Sequence, residues 1–216
     1  MAASSQSART DHNGVLICVA GPSGAGKDTL INAARDRLGN NPRFHFPQRF
    51  ITRAQTPDEP HIVLDPAAFE RLKADGAFFL AWRAHGVAYA VPAGVRTALG
   101  EGRAVVVNIS RRVIMEARLA WPRMALIHVT ARADVLAARL RGRGRDGDAA
   151  IEERLRRAAA IPLPAAEWVH ELDNSDTLEE GISTFIALLE RIAGASPAQR
   201  EPLDEAKRRA AAGVAE

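Results

Sequence analysis

Apolar residues in this chain fall into two kinds of run. Residues 15–20 (V-L-I-C-V-A), 103–109 (R-A-V-V-V-N-I) and 124–129 (M-A-L-I-H-V) are short and nearly continuous, as strands buried on both faces are. Between them, apolar positions recur at helical spacing. Leu30, Ile31, Ala34 and Leu38 share one face of a helix predicted over Lys27–Leu38, which Gly39-Asn40-Asn41-Pro42 stops. Asp65-Pro66 caps a helix to about residue 74, with Pro66 at its first position. Residues 78–82 and 87–91 flank His85-Gly86 as a hairpin, and 92–99 read as a short helix. Ser110 caps a helix to about 119, residues 134–140 are helical, and Asp148 caps a helix over 149–160 that Pro162 and Pro164 end. A last strand at 168–172 precedes Asp176-Thr177-Leu178-Glu179, a capping-box pattern in front of a helix to about 192. Residues 43–51 are extended in character, and 52–61 are too polar and proline-broken for a regular element.

Strands that alternate with helices predict an α/β domain, a parallel sheet covered on both faces. The domain spans 14–194, with an insertion at about 52–91 and a glycine-hinged loop, a candidate lid, at about 141–150. Residues 1–13 lack an apolar signal core and read as a disordered lead-in, and 195–216 as a flexible tail. A length of 216 residues suits one such domain. No apolar run reaches membrane-spanning length, and the single Cys18 excludes an internal disulfide, so the expected location is cytoplasmic. The net charge is only +3, yet of the cations only Lys27, Lys73 and Lys207 are lysines. Arginine is the side chain suited to bidentate phosphate binding. A low aromatic content and no nucleic-acid motif exclude nucleic acid as the expected partner.

The chemistry begins where the first strand ends. Gly21-Pro22-Ser23-Gly24-Ala25-Gly26-Lys27 joins a buried strand to a helix, the layout of a phosphate-binding P-loop. Glycines let backbone N–H groups approach an anion, the helix N-terminus adds partial positive charge, and Lys27 adds a full one. The next residue, Asp28, stands where the general pattern has Ser or Thr. Thr52-Arg53 with Glu59 and His61 forms a second constellation, able to clamp a phosphate and meet sugar hydroxyls, or else a plain solvated loop. A third is Asn108-Ile109-Ser110-Arg111 at the C-terminal end of a strand, where open α/β sheets bind ligands. Many P-loop enzymes carry a metal-binding Asp on this strand; here it is a neutral amide. Arg139, Arg143, Arg145 and Arg154, interleaved with glycines, would bring guanidiniums over a phosphate. No Asp or Glu stands out as a general base for a hydroxyl acceptor. An acceptor that is itself a phosphate needs none, so this pattern favours phosphoryl transfer onto a phosphate.

Taken together, G-P-S-G-A-G-K, the Thr52-Arg53 loop, the Gly86/Tyr89 hairpin and R-L-R-G-R-G-R-D followed by E-R-L resemble the guanylate kinase superfamily. Within it the chain is more similar to the bacterial ribose 1,5-bisphosphate phosphokinases of phosphonate breakdown. The similarity lies at Gly26-Lys27-Asp28, Ile51-Thr52-Arg53, Glu59-x-His61-Ile62, Val106-Val107-Asn108-x-Ser110-Arg111, Arg143-Gly144-Arg145 and Leu172-x-Asn174. The resemblance implies a P-loop NTPase fold with core, acceptor-binding insertion and arginine lid. It also implies transfer from ATP, with Mg²⁺, to ribose 1,5-bisphosphate, giving 5-phosphoribosyl 1-diphosphate. The implied roles follow. Backbone groups of residues 21–29 and Lys27 hold the ATP phosphates, and Asp28 and Thr29 lie near the metal. Arg53, Glu59, His61, Tyr89, Asn108 and Arg111 shape the acceptor site. Arg139, Arg143 and Arg154 neutralise the transferring group, and Asn174 contacts adenine or orders the last loop. Ala90 follows Tyr89 where the family has glycine, and it is expected to crowd the acceptor pocket. The partner is a small sugar phosphate and the assembly a monomer or homodimer. The alternatives are a nucleoside monophosphate kinase such as guanylate kinase, and a non-catalytic binding module of the same architecture.

Overall fold

The computed structural model describes residues 14–55, 59–84, 86–142 and 163–194. Along the chain run β1 (Val15–Ala20), α1 (Lys27–Leu38), β2 (Phe44–His45), β3 (Phe50–Ile51), β4 (Ile62–Val63), α2 (Pro66–Ala74), β5 (Phe78–Ala84) and β6 (Val87–Pro92). There follow α3 (Val95–Gly100), β7 (Ala104–Asn108), a 3-10 turn (Arg111–Val113), α4 (Ile114–Ala120), β8 (Met124–Thr130), α5 (Ala133–Gly142), β9 (Val169–Asp173) and α6 (Leu178–Gly194).

The core is a five-stranded parallel sheet in the order β2-β7-β1-β8-β9. β1 is central and buried at every position because both sheet faces are covered. Val15, Ile17 and Val19 pack with Leu30, Ile31 and Ala34 of α1 and with Phe185 and Leu189 of α6. Leu16, Cys18 and Ala20 point the other way, toward Val95 and Leu99 of α3 and Ile114 and Ala117 of α4. Burial pushes the Cys18 thiol well above its ordinary pKa, so it is a small core hydrophobe rather than a nucleophile.

A second sheet, β4-β3-β6-β5, forms the insertion. One face packs on α2, where Phe50, Phe78, Ala81, Ala88 and Ala90 surround Phe69. Alternation puts Ile51, Tyr89 and Trp82 on the other face, paired across the strands. Ala90 therefore faces α2 and not the side that carries Tyr89, so its methyl does not crowd an acceptor bound there.

The extended segment at 43–51 divides. Phe44–His45 joins the core and Phe50–Ile51 joins the second sheet, so the insertion begins at residue 50. Pro47, which has no N–H to give to a ladder, lies in the connection. Just after the polar loop, Ile62–Val63 forms β4, a two-residue edge strand parallel to β3 with both side chains exposed. Pro92 ends β6 rather than opening a helix, and α3 starts at Val95. The capping box lies one residue later than its pattern suggests: Thr177 Oγ1 accepts from Glu180 N–H at 3.3 Å and Thr177 N–H donates to Glu180 Oε2 at 3.2 Å. The terminal segments 1–13 and 195–216 lie outside the described residues. So do most of the expected lid, the helix at 149–160, Arg143, Arg145 and Arg154.

The C-terminal ends of β1 and β9 are tied together by Asn174, only 3% exposed, whose Nδ2 donates to the Ala25 carbonyl at 2.8 Å. A Cβ added at Gly181 in α6 would collide with Asn174 Oδ1. Helix propensity favours Ala over Gly by about 1 kcal/mol, so the sign of Gly181→Ala is diagnostic. The clash is expected to win and lower the unfolding free energy by about 1–3 kcal/mol, read from urea midpoints. A more stable variant contradicts this packing.

Candidate active site

The site is built where the two sheets meet. β1 delivers the loop 21–26, and α1 starts from Gly26, whose φ of +87° is left-handed backbone that favours glycine. A Cβ there would lie 2.5 Å from Asn174 Nδ2 and 3.9 Å from Arg139 Nη1. Gly26 offers no side-chain cap, so the first N–H groups of α1 are left for an anion. Lys27 Nζ reaches back across the loop to the Pro22 carbonyl at 2.8 Å. Ser23 and Thr29 are exposed at the rim. α5 covers the loop: Leu140 packs on Gly24, and the buried Arg139 Nη1 has no hydrogen-bond partner among the described residues. Asn174, buried at the end of β9, holds the loop 21–26 from behind through the Ala25 carbonyl.

Asp28, in the first turn of α1, faces the end of β7. Its Oδ1 accepts from Asn108 Nδ2 at 2.7 Å and forms an ion pair with Arg49 at 3.5 Å. Arg49 is the hub of the region. Its side chain is 11% exposed, and it also donates to Glu59 Oε1 at 2.7 Å and to the Asn108 carbonyl at 3.2 Å. Its guanidinium lies over the Tyr89 ring, 5.9 Å from the centroid, and Tyr89 stacks on Trp82 at 5.5 Å. Arg53 donates to the second Glu59 oxygen, and its buried Nε has no partner among the described residues. One carboxylate thus aligns two guanidiniums. Burial raises the Tyr89 hydroxyl pKa, so the phenol is neutral and can donate.

Arg53, Glu59, Tyr89 and Asn108 therefore come together, and Asp28, expected at the metal, joins them through Asn108 and Arg49. His61 is present but turned inward. It is 4% exposed, with Nδ1 2.6 Å from the Glu59 carbonyl and Nε2 3.0 Å from the Arg53 carbonyl. Both ring nitrogens are turned to these backbone carbonyls and the one that carries the proton donates, so His61 braces the loop instead of meeting a ligand. The Thr52 hydroxyl likewise accepts from Ala88 N–H at 2.8 Å and holds β3 to β6. The charge of Arg111 acts on His128 of β8. Sequence reasoning missed Arg49. Arg49 and Arg53 flank β3, and it is Glu59, one oxygen to each, that brings them together.

Among the described residues no group of three or more His, Cys, Asp or Glu could hold a metal by itself. The Asp28 carboxylate and the Thr29 hydroxyl are what the first turn of α1 offers. That suits Mg²⁺, which is commonly held by one or two carboxylates together with substrate phosphates and water.

No family model matches the chain. Curated relatives do. A ribose 1,5-bisphosphate phosphokinase from Methylobacterium radiotolerans is 45% identical over 148 residues, 68% of this chain and 84% of that protein. One from Brucella melitensis is 39% identical over 181 residues, 83% of this chain and 94% of that protein. The chain belongs to the ribose 1,5-bisphosphate phosphokinase family. Among solved structures, guanylate kinase from Anaplasma phagocytophilum is similar with a TM-score of 0.60 over 85% of this chain and 88% of that one, at 17% identity. That likeness shows the fold, a guanylate-kinase-like arrangement of core and insertion, and leaves the family's own site to be read from this chain.

His128 makes the electrostatics of the site measurable. Both its ring nitrogens are buried without a hydrogen-bond partner among the described residues. Burial lowers its pKa first and Arg111 next; Lys27 lowers it further, and Glu171 opposes them. His45 is shifted the same way by burial and Arg103. The unfolded chain therefore binds more protons at these rings than the folded protein does. Stability should be present above the ordinary imidazole pKa of about 6.5 and fall as pH drops below it. Urea midpoints between pH 7.5 and 5 should decline, and His128→Asn should reduce the slope. A slope unchanged by that substitution contradicts the assignment.

Proposed function

We propose that this protein transfers the γ-phosphoryl group of ATP to the 1-phosphate of ribose 1,5-bisphosphate, giving ADP and 5-phosphoribosyl 1-diphosphate, as a step of phosphonate breakdown. The observation that carries the reading is the set of relatives of this name at 38–46% identity. The site chemistry supports it independently. An oxygen of the acceptor phosphate attacks the γ-phosphorus, the bond from γ-phosphorus to the β-γ bridging oxygen breaks, and ADP leaves with that oxygen's charge. The nucleophile is already ionised, so no general base is required. What is required is screening of two anions as they approach, and phosphoryl transfer is catalysed mainly by positioning and such charge stabilisation.

The chain's residues divide this work. N–H groups at the start of α1 and Lys27, which would release the Pro22 carbonyl, hold the β- and γ-phosphates. Arg139 approaches the loop from α5 with an unused donor. Arg49 and Arg53, aligned by Glu59, draw the two phosphates of the acceptor in, while Asn108 and Tyr89 offer neutral donors to sugar oxygens. Mg²⁺ entering with ATP would neutralise charge on its β- and γ-oxygens, and Asp28 and Thr29 are the residues that would hold it, directly or through water. Arg143 and Arg154 belong to the same reading as lid arginines, and Arg111 as a more distant charge. We place the reaction in the cytoplasm, where ATP is made, with a monomer or homodimer as the working unit. A nucleoside monophosphate acceptor and a non-catalytic binding module are not favoured, since relatives at this identity carry a sugar-phosphate kinase name and the Gly26-Lys27 loop is intact.

Coupled ADP-release assays with ribose 1,5-bisphosphate and with GMP, side by side, test the reading. Turnover should be confined to the sugar phosphate, and Lys27→Ala should cut kcat by roughly 10²-fold or more with an unchanged circular dichroism spectrum. Equal turnover of GMP, or near-normal kcat in the variant, overturns it.

A further inference from the structure

Arg35 in α1 has no part in the roles assigned so far. It lies eight residues beyond Lys27, about 12 Å along the helix axis, and lines the pocket formed with Asp28, Asn32, Arg49, Glu59 and Asn108. Its Nη1 donates to the neutral Asn32 Oδ1 at 2.7 Å. No carboxylate among the described residues lies within salt-bridge distance of it. Burial lowers its pKa; Asp36 and Asp28 oppose that shift, and the charge of Arg49 adds to it. A half-buried guanidinium set near a second one, with only an amide as partner, is costly unless an anion completes the pair.

The two acids of the pocket do not supply that anion. Glu59 gives one oxygen to Arg49 and the other to Arg53, and Asp28 Oδ1 is taken by Asn108 and Arg49. In the lining, Arg35 and Arg49 stand against Asp28 and Glu59, and Arg53, on the second oxygen of Glu59, adds a further positive charge beside the pocket. Two guanidiniums converging on one pocket make a phosphate subsite. The position of Arg35 says which phosphate. The transferring phosphoryl group must sit at Lys27, with reacting atoms about 3–3.5 Å apart. Even leaning back by a turn toward the helix N-terminus, a side chain two turns away serves a group remote from the reaction.

We infer that Arg35, together with Arg49, binds the phosphate of the acceptor that does not react, the 5-phosphate of ribose 1,5-bisphosphate. The inference rests on the acceptor proposed above. It makes Arg35 the residue that separates a bisphosphate from a sugar carrying a single phosphate at C1. Because the contact is the same before and during transfer, its loss should raise KM and leave kcat nearly alone.

The test measures KM and kcat of wild type, Arg35→Gln and Arg35→Lys for ribose 1,5-bisphosphate, and inhibition by ribose 5-phosphate and ribose 1-phosphate. Arg35→Gln should raise KM about 10- to 100-fold with kcat changed less than about threefold. It should weaken inhibition by ribose 5-phosphate by a similar factor and leave ribose 1-phosphate inhibition within about twofold. Arg35→Lys should recover part of the loss, which a folding defect would not reproduce. An unchanged KM in Arg35→Gln, or equal weakening of both monophosphates, overturns the subsite alone. Absence of wild-type turnover with ribose 1,5-bisphosphate overturns the acceptor assignment, and the subsite with it.

Discussion

The hydrogen bond from Asn108 to Asp28, 2.7 Å long, joins the three parts on which the site depends. Asp28 belongs to the first turn of α1, Asn108 ends β7, and Arg49, in contact with both residues, leads into the second sheet. P-loop NTPases generally place a hydroxyl after the loop lysine and an acid on the neighbouring strand. In this chain the acid is on the helix and the strand supplies an amide. The pair keeps one acid and one amide, and the acid now also meets Arg49. The start of α1, the end of β7 and the approach to the second sheet are therefore joined through one carboxylate.

The fold constrains where this pair can form. A parallel sheet presents its ligands at the C-terminal strand ends, and β1, β7, β8 and β9 each contribute there: the phosphate loop, Asn108, His128 and Asn174. The second sheet is two-faced. Its small residues, Ala81, Ala88 and Ala90, allow α2 to pack closely through Phe69. The opposite face is left to Tyr89, Trp82 and the two arginines. Glu59 fixes those arginines relative to each other, and His61 fixes Glu59 through its backbone carbonyl.

Much of this was legible in the sequence, for identifiable reasons. Buried strands such as 15–20 and 104–108 declare themselves by continuous apolar runs, and the glycine-lysine loop by its spacing. Residues of short or split elements did not. Nothing local separates Phe44–His45 from Phe50–Ile51, because their allegiance to different sheets is a tertiary matter. The chemistry followed the same division. Asp28 stood out as a departure from a pattern, yet its partner lies eighty positions away, and no local rule brings Arg49 or Arg35 to it. His61 looked like a ligand because imidazole so often is one; only burial and two backbone carbonyls show it to be a brace.

The central claim is that one carboxylate, shared between α1 and β7, joins these parts of the site. The most direct measurement is kcat/KM for Asp28→Asn, Asn108→Asp and the double exchange. Each single change should cost roughly 10²-fold: the first removes the charge, and the second sets two carboxylates against each other. The exchange restores one acid and one amide at the same place, so its activity should exceed the product of the single losses by about tenfold or more. Losses that simply multiply would contradict the claim.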